Sequence, residues 1–181
     1  METHETVHES LSPWTPPLAD GAKACQDTAV RTYARPLPRQ RLIAPRPTSA
    51  AASAVMRGNR KRDTKPELAI RRAVHRTGGR YEVAARPLRG RPWTADLVFR
   101  RPRVAVFVDG CYWHGCPQHF KLPSANLGYW GTKIERNRER DSLVDAELSA
   151  AGWTVIRIWE HEEPEAAAAQ IVRAVRPARA E

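Results

Sequence analysis

The stretch TADLVFRRPRVAVFVDGCYWH, residues 94–114, decides the predicted fold. Two apolar, β-branched runs, Thr94 to Phe99 and Val104 to Val108, are typical of strands. The charged segment between them contains a proline and predicts a tight antiparallel turn. The second strand leads directly into a loop dense in cysteine, histidine and glycine. The stretch therefore predicts a strand pair that brings polar side chains to one end of a sheet.

Helical patterns surround this strand pair. Thr64-Lys65-Pro66-Glu67 has the form of a capping box and predicts a helix that ends at Gly78-Gly79. The remaining predicted elements are a short strand from Tyr81 to Val83, a long helix from Tyr129 to Ala151, a strand from Trp153 to Trp159 and a helix from Pro164 to Val175. This order predicts an α/β fold in which a small mixed sheet is flanked by helices.

The N-terminal segment has a different composition. Residues 1–55 hold seven of the fifteen prolines and lack a helical or strand period, so this segment is predicted to be a disordered extension. The folded domain is predicted to span residues 56–181. Met56 stands immediately before the first patterned sequence and is a candidate alternative start.

Charge is distributed unevenly along the chain, whose formal net charge is +10. Residues 56–103 carry 15 basic and 4 acidic side chains, whereas residues 104–181 carry 9 and 11. This concentration favours a polyanionic partner, although a solvated arginine-rich surface explains it too.

No stretch approaches the roughly 20 apolar residues of a membrane span, and no signal peptide is evident, so a soluble cytoplasmic protein without a membrane partner is predicted.

Two polar residues of the quoted stretch are candidates for catalysis. Asp96 interrupts an apolar strand, and a carboxylate there needs a partner, a proton or a metal unless strand alternation points it at water. The neighbouring strand ends at Val108 and leads into His114. A carboxylate, a strand-end carbonyl and an imidazole are therefore predicted to converge at one end of the sheet.

The long helix carries polar residues on its apolar stripe. Ile134, Val144 and Leu148 define the stripe at 100° per residue, and Asn137 and Asp141 lie within it. Either these residues make buried structural hydrogen bonds, or Asp141 orients a catalytic imidazole. The helix by itself does not choose between the two interpretations.

The loop that follows the second strand contains enough ligands for a metal. Cys111 and Cys116, together with His114, His119 and the later His161, are sufficient for one tetrahedral zinc ion. The spacing is not that of a standard zinc finger, and free buried cysteines with surface histidines remain the alternative.

Tyr112 and Trp113 lie inside the same loop. A metal-stapled loop would hold these rings outside the core, where aromatic side chains beside a basic face stack on bases or wedge between them. Core packing is the alternative for Trp113.

Together these motifs resemble the very-short-patch repair (Vsr) endonuclease family over nearly all of residues 56 to about 163. Each matching piece is weak alone, but their order and spacing make the match specific. The pieces are Met56-Arg57, Arg62-Asp63-Thr64-x-x-Glu67, Asp96, Gly110-Cys111-Tyr112-Trp113-His114, Tyr129-Trp130-x-x-Lys133-Ile134-x-x-Asn137-x-x-Arg140-Asp141, and Gly152-Trp153-x-Val155 through Trp159-Glu160.

The resemblance implies a fold like that of type II restriction endonucleases and a magnesium-dependent cut in double-stranded DNA. The cut would fall 5′ to the thymine of a T:G mismatch that arises when 5-methylcytosine deaminates, and the enzyme would act as a monomer. By position, Asp96 and the backbone of Val108 would bind Mg²⁺. His114 would be the general base, held by Asp141, and Glu67 would lie near the N-terminal part of the site.

The resemblance also assigns DNA contacts and zinc ligands. Met56, Tyr112 and Trp113 match residues that wedge into DNA at the mismatch, and Arg57 and Asn137 are predicted to bind DNA. The implied zinc-stapled loop uses Cys111, Cys116, His119 and His161.

Two positions depart from a well-matched family member. Asp109 stands where that protein has a second histidine, and His161 stands where it has a zinc-binding cysteine. Two alternatives to a repair enzyme therefore stay open: a catalytically inactive, zinc-stabilised DNA-binding module, and a nuclease of the same fold used in restriction or defence.

Overall fold

The computed structural model describes residues 42–47, 49–60 and 62–176. Its helices and strands are α1 (Ala50–Gly58), α2 (Lys65–Arg76), β1 (Glu82–Ala85), β2 (Ala95–Phe99), β3 (Val104–Asp109), α3 (Leu127–Ala150), β4 (Thr154–Trp159) and α4 (Pro164–Val175). All elements from α2 to α4 match predicted ones to within a few residues. Most of the predicted N-terminal extension lies outside the described residues.

Helix α1 lies across the predicted domain boundary. It begins at Ala50, inside the segment expected to be disordered and ahead of Met56. The proline-rich part ends at Pro47, and the helix sequence AAASAVMRG is rich in alanine, the residue with the highest helix propensity. Composition averaged over residues 1–55 concealed this change.

The four strands form one mixed sheet in the order β1-β2-β3-β4. β1 pairs with β2 and β2 with β3 in antiparallel fashion, so the predicted tight turn between β2 and β3 is confirmed. β3 and β4 run parallel, with Val106 opposite Ile156 and Asp109 opposite Trp159. The carboxyl ends of β3 and β4 therefore lie side by side, at the end of the sheet where β2 begins.

Helices cover both faces of the sheet. On one face Leu97 and Val106 pack with Ile70 of α2 and Ile171 of α4. On the other face Val98 and Ala105 pack with Val144 and Leu148 of α3. Burial of a leucine or isoleucine side chain stabilises a fold by about 1.5–3 kcal/mol, so these two clusters fix the helices against the sheet.

The predicted apolar stripe of α3 is confirmed, because Ile134, Val144 and Leu148 are the buried residues of that helix. Asn137 and Asp141 share this side of α3 and therefore face the part of the molecule that follows β3. Among the described helices, none combines the length and the apolar character that crossing a membrane requires.

Candidate active site

Asp96 lies where β2 and β3 stop pairing. The register between the two strands ends with Leu97 opposite Val106, and the Asp96 side chain instead accepts a hydrogen bond from the Val108 backbone N–H at 2.7 Å. The carboxylate is thus turned toward the carboxyl end of β3 and not simply toward water. Burial raises the pKa of Asp96 to about 6, although the Val108 N–H lowers it, and the charge of Glu67 adds to the rise.

His114 and Asp141 form a hydrogen-bonded pair across 27 residues of sequence. His114 Nδ1 lies 2.5 Å from Asp141 Oδ2. Burial acts to raise the pKa of Asp141, but the hydrogen bond from His114 and the nearby cations lower it below its ordinary value. An ionised carboxylate can only accept, so Nδ1 carries the proton and the lone pair of the neutral imidazole is on Nε2.

Helix α3 also fixes the backbone on both sides of His114. Asn137 Nδ2 donates to the Trp113 carbonyl at 2.7 Å, and Arg138 Nη2 donates to the Gly115 carbonyl at 2.7 Å. Gly115 has φ +66°, a left-handed conformation that suits glycine. Since Asn137 and Asp141 are one helical turn apart, a single face of α3 orients the loop and its imidazole together.

The prediction that Asp141 orients an imidazole agrees with this geometry. The hydrogen bond of Asn137 to Trp113 is a structural one. A direct contact of Asn137 with DNA stays a prediction.

A half-buried arginine, Arg157, lies close to this pair. Arg157 of β4 donates from Nη1 to both oxygens of Asp109, at 2.9 and 2.8 Å, and from Nε to Asp145 at 2.9 Å. The Asp109 side chain is 8% exposed, and its Oδ1 is 3.5 Å from His114 Nδ1. Sequence reasoning did not single out Arg157. The available signal was a charged residue in the apolar run TVIRIW.

Glu67 is buried at the start of α2, on the side of Asp96. Its side chain accepts hydrogen bonds from the Thr64 hydroxyl at 3.0 Å and from the Asp63 N–H at 2.9 Å, and it pairs with Arg71 at 3.0 Å. The predicted capping box therefore explains Glu67 fully. The charge of Glu67 adds to the rise in the pKa of Asp96, but a catalytic role for Glu67 stays a prediction.

The four predicted zinc ligands converge. Ligand atoms of Cys111, Cys116, His119 and His161 all lie within 4.8 Å of one another, and both cysteines are buried. Cys111 Sγ is 3.1 Å from His161 Nδ1, and Cys116 Sγ is 3.7 Å from His119 Nδ1. Burial and the neighbouring Cys116 raise the pKa of Cys111 to about 11.

These separations fit a tetrahedral metal. Bonds of about 2.3 Å to sulfur and 2.0–2.1 Å to nitrogen place tetrahedral ligand atoms about 3.3–3.8 Å apart. The Cys111–His119 and Cys116–His161 separations, both 3.8 Å, are close to this range. The cluster could hold a metal with two thiolates and two imidazoles, and no ligand atom needs to move far.

The predicted base-contacting rings belong to an aromatic cluster. Tyr112 and Trp113 contact each other at a centroid distance of 5.1 Å, and both contact Trp130, at 5.5 and 6.1 Å. These rings belong to neither apolar core cluster. Trp130 is therefore a further candidate for contact with bases, and the sequence signal was its place in the matched Tyr129-Trp130 motif.

The two remaining predicted DNA contacts lie on α1. Arg57 is exposed and donates to Ser53 Oγ at 2.6 Å. The side chain of Met56 lies outside what the structure describes. DNA binding by either residue stays a prediction.

Comparisons with known proteins show which family this chain is similar to. The family model described as DNA mismatch endonuclease Vsr matches residues 47–119. The chain is 45% identical to the type II nicking enzyme V.NaeI of Lentzea aerocolonigenes over 71% of this chain and 78% of that protein. It is 40% identical to the type II nicking enzyme V.XorIIP of Xanthomonas oryzae over 60% of this chain and 78% of that protein. It is 34% identical to the DNA mismatch endonuclease Vsr of Escherichia coli over 61% of this chain and 70% of that protein.

The class of protein is thus a DNA endonuclease, a hydrolase built on a small mixed α/β fold. Within that class, the chain belongs to the Vsr family of DNA mismatch endonucleases.

Proposed function

We propose that this protein nicks double-stranded DNA 5′ to the thymine of a T:G mismatch by magnesium-dependent hydrolysis, and so initiates repair of deaminated 5-methylcytosine. The observation that carries the proposal is the meeting of Asp96 with β3 at Val108, next to Asp109 and the His114–Asp141 pair. A carboxylate and an oriented imidazole at one end of a sheet, on a fold like that of type II restriction endonucleases, suit phosphodiester hydrolysis.

His114 is the proposed general base. Its Nε2 removes a proton from the attacking water, and the imidazolium that forms is stabilised by Asp141 at Nδ1. A positioned base of this kind contributes about 10²–10⁴-fold to a rate. Asp141 is therefore a positioning residue, since it acts through the imidazole.

Asp96 and the backbone of Val108 are the proposed magnesium ligands. Burial is the main cause of the raised pKa of Asp96, and the charges of Glu67 and Asp109 add to it, so a bound cation would offset part of the cost of holding the ionised carboxylate there. When bound, magnesium neutralises charge that develops on the scissile phosphate. Glu67 is assigned to the same part of the site.

Zinc is the proposed occupant of the cluster formed by Cys111, Cys116, His119 and His161. Its role is structural: it staples the loop that carries His114 to the segment between β4 and α4. Metal analysis of the purified protein should find about one equivalent of zinc, and Cys116→Ser should lose it. A zinc content below half an equivalent in the unaltered protein contradicts the proposed structural zinc site.

DNA recognition is assigned to the basic half of the chain and to the aromatic cluster. Tyr112, Trp113 and Met56 are proposed to wedge into the duplex, where a mismatch reduces the cost of unstacking. Arg57 and Asn137 are proposed as further DNA contacts. The protein is proposed to act as a monomer on chromosomal DNA in the cytoplasm, with residues 56–181 as its endonuclease domain.

A second function is favoured by the names of the relatives. Several are type II nicking enzymes, among them V.NaeI and V.XorIIP. Nicking of a specific sequence without a mismatch, in restriction or defence, is therefore the alternative.

One assay separates the two functions. Nicking of a T:G duplex is compared with nicking of its paired C:G counterpart in magnesium, at several flanking sequences. Preferential cutting of the T:G duplex, lost in His114→Ala and Asp96→Ala with DNA affinity retained, supports repair. Equal cutting of both duplexes removes the repair assignment, and a complete lack of metal-dependent nicking favours a binding module.

A further inference from the structure

Two carboxylates compete for one imidazole N–H. His114 Nδ1 lies 2.5 Å from Asp141 Oδ2 and 3.5 Å from Asp109 Oδ1. The neutral ring has one proton at Nδ1, so it can make one good hydrogen bond there. The acceptor that receives this proton sets the rotation of the ring and hence the direction of Nε2.

Arg157 occupies the position from which this competition can be decided. Its Nη1 binds both oxygens of Asp109, at 2.9 and 2.8 Å, and its Nη2 is 3.5 Å from Asp141 Oδ1. Its Nε is bonded to Asp145, and its guanidinium lies over the ring of Phe107 at 4.9 Å. The three carboxylates and the aromatic ring together fix the orientation of the Arg157 guanidinium group.

The same contacts argue against Asp109 as a metal ligand. Both of its oxygens are bound to one guanidinium nitrogen within 2.9 Å, and the side chain is only 8% exposed. A buried carboxylate with this pairing is neutralised locally, whereas without the arginine it would be an uncompensated buried charge beside the imidazole.

We propose that Arg157 is a positioning residue for hydrolysis: by binding both oxygens of Asp109 it leaves Asp141 as the acceptor for His114 Nδ1–H and so aims Nε2 at the attacking water. This inference rests on the proposed role of His114 as general base. Without Arg157, Asp109 is free to accept the hydrogen bond from His114 Nδ1–H in place of Asp141. The loss of nicking rate should therefore come from the freed Asp109 carboxylate and not from the missing positive charge.

A compensation experiment tests this. Single-turnover nicking at saturating protein is measured for the unaltered protein, Arg157→Gln, Arg157→Lys and the double variant Asp109→Asn/Arg157→Gln, together with DNA affinity. Arg157→Gln should lower the rate roughly tenfold or more with little change in affinity, since a misdirected base costs this much. Arg157→Lys should recover part of the rate, and the double variant should return to within about threefold of the unaltered protein.

Glu147→Gln is the matched control. It removes a salt bridge of α3, to Arg91 at 2.8 Å, that does not involve His114 or Arg157. It should nick at the unaltered rate. A rate in Arg157→Gln equal to that of Glu147→Gln overturns the proposal, and so does a double variant as slow as Arg157→Gln.

A spectroscopic measurement keeps this test separate from the proposed function. In ¹⁵N-labelled protein without DNA, the Nδ1–H resonance of His114 should report a strong bond to a carboxylate, should shift in Arg157→Gln and should return in the double variant. If His114→Ala nicks normally while this pattern holds, the proposed base is wrong and the role of Arg157 in orienting the ring stands. An unchanged resonance in Arg157→Gln overturns the positioning role itself.

Discussion

At the scale of single residues, the chemistry of the site depends on carboxylates with opposite shifts of pKa. Burial dominates at Asp96, so its pKa rises to about 6. At Asp141 the hydrogen bond from His114 and the nearby cations outweigh burial, so its pKa falls. Ionisation of Asp96 is therefore costly in the folded protein, whereas ionised Asp141 is stabilised by its partners.

Asp96→Asn should stabilise the magnesium-free protein at neutral pH. A carboxyl whose pKa is 3.8 when unfolded and about 6 when folded contributes stability below pH 3.8, and this contribution is lost as pH rises through 6. The amide does not titrate and can still accept the Val108 N–H. We expect the variant to gain on the order of 1–3 kcal/mol in free energy of unfolding at pH 7.5, and less at pH 4.5, by urea denaturation.

Asp141→Asn is the opposing control for this prediction. The lowered pKa of Asp141 contributes stability above its unfolded pKa, so this variant should lose stability at pH 7.5. If Asp96→Asn is the less stable of the two at that pH, burial of the Asp96 carboxylate is not costly and the explanation for its pKa fails.

At the scale of elements, α3 orients the loop that carries His114. Its buried stripe packs on the sheet through Val144 and Leu148, while Asn137, Arg138 and Asp141 bind the loop at three successive residues. The helix thus transfers the rigidity of the core to an otherwise irregular segment.

Gly115→Ala should disrupt this contact. A Cβ atom at residue 115 would lie 2.8 Å from Arg138 Cζ, and the backbone there has φ +66°. We expect a loss of about 1–3 kcal/mol in stability and slower nicking, measured by thermal unfolding and a single-turnover assay. Gly131→Ala, within α3 and with nothing within 4 Å of its added Cβ, should be neutral or should stabilise by up to about 1 kcal/mol. Equal losses in both variants contradict the role of Gly115.

At the scale of the whole molecule, the distribution of charge and the cysteine and histidine cluster are the two features that involve several elements. The excess of basic residues lies between residues 56 and 103, the part of the chain that includes α2, β1 and β2. The cysteine and histidine cluster joins the loop after β3 to the residue that follows β4 by two positions, His161.

DNA affinity should depend steeply on salt, and the basic half should carry that dependence. Replacing exposed Arg60, just before α2, by alanine should lower the slope of log affinity against log salt by about 1, because one phosphate contact is lost. Arg173→Ala, on the exposed side of α4, should leave the slope unchanged. Equal effects of the two variants would show that net charge, and not a defined face, attracts DNA.

Removal of zinc should destabilise the whole domain, because the ligands come from two distant parts of the chain. We expect chelation to lower the midpoint of thermal unfolding by on the order of 5–10 °C, which corresponds to about 1–3 kcal/mol for a domain of this size. Cys116→Ser should already unfold at the lower temperature and should not respond to chelator. If chelation leaves the midpoint of thermal unfolding of the unaltered protein unchanged, the proposed structural role of zinc is contradicted.

The sequence by itself determined the elements from α2 to α4, the turn between β2 and β3, and the presence of candidate metal ligands in the loop after β3. These features are encoded within a few neighbouring residues: the capping box at Thr64, the alternation of apolar residues, and the density of ligands after β3. Helix α1 was missed because a short alanine-rich run was averaged with a proline-rich neighbour.

Only the tertiary structure decided how these polar groups meet and placed Arg157 among them. These contacts join residues that are 12 to 48 positions apart in the sequence. They are the 2.5 Å contact of His114 with Asp141, the hydrogen bond from the Val108 N–H to Asp96, and the bonds of Arg157 to Asp109 and Asp145. Such contacts depend on the register of β3 with β4 and on how α3 packs against the sheet. Local periodicity fixes which side of an element a residue occupies, but only packing fixes what lies opposite it.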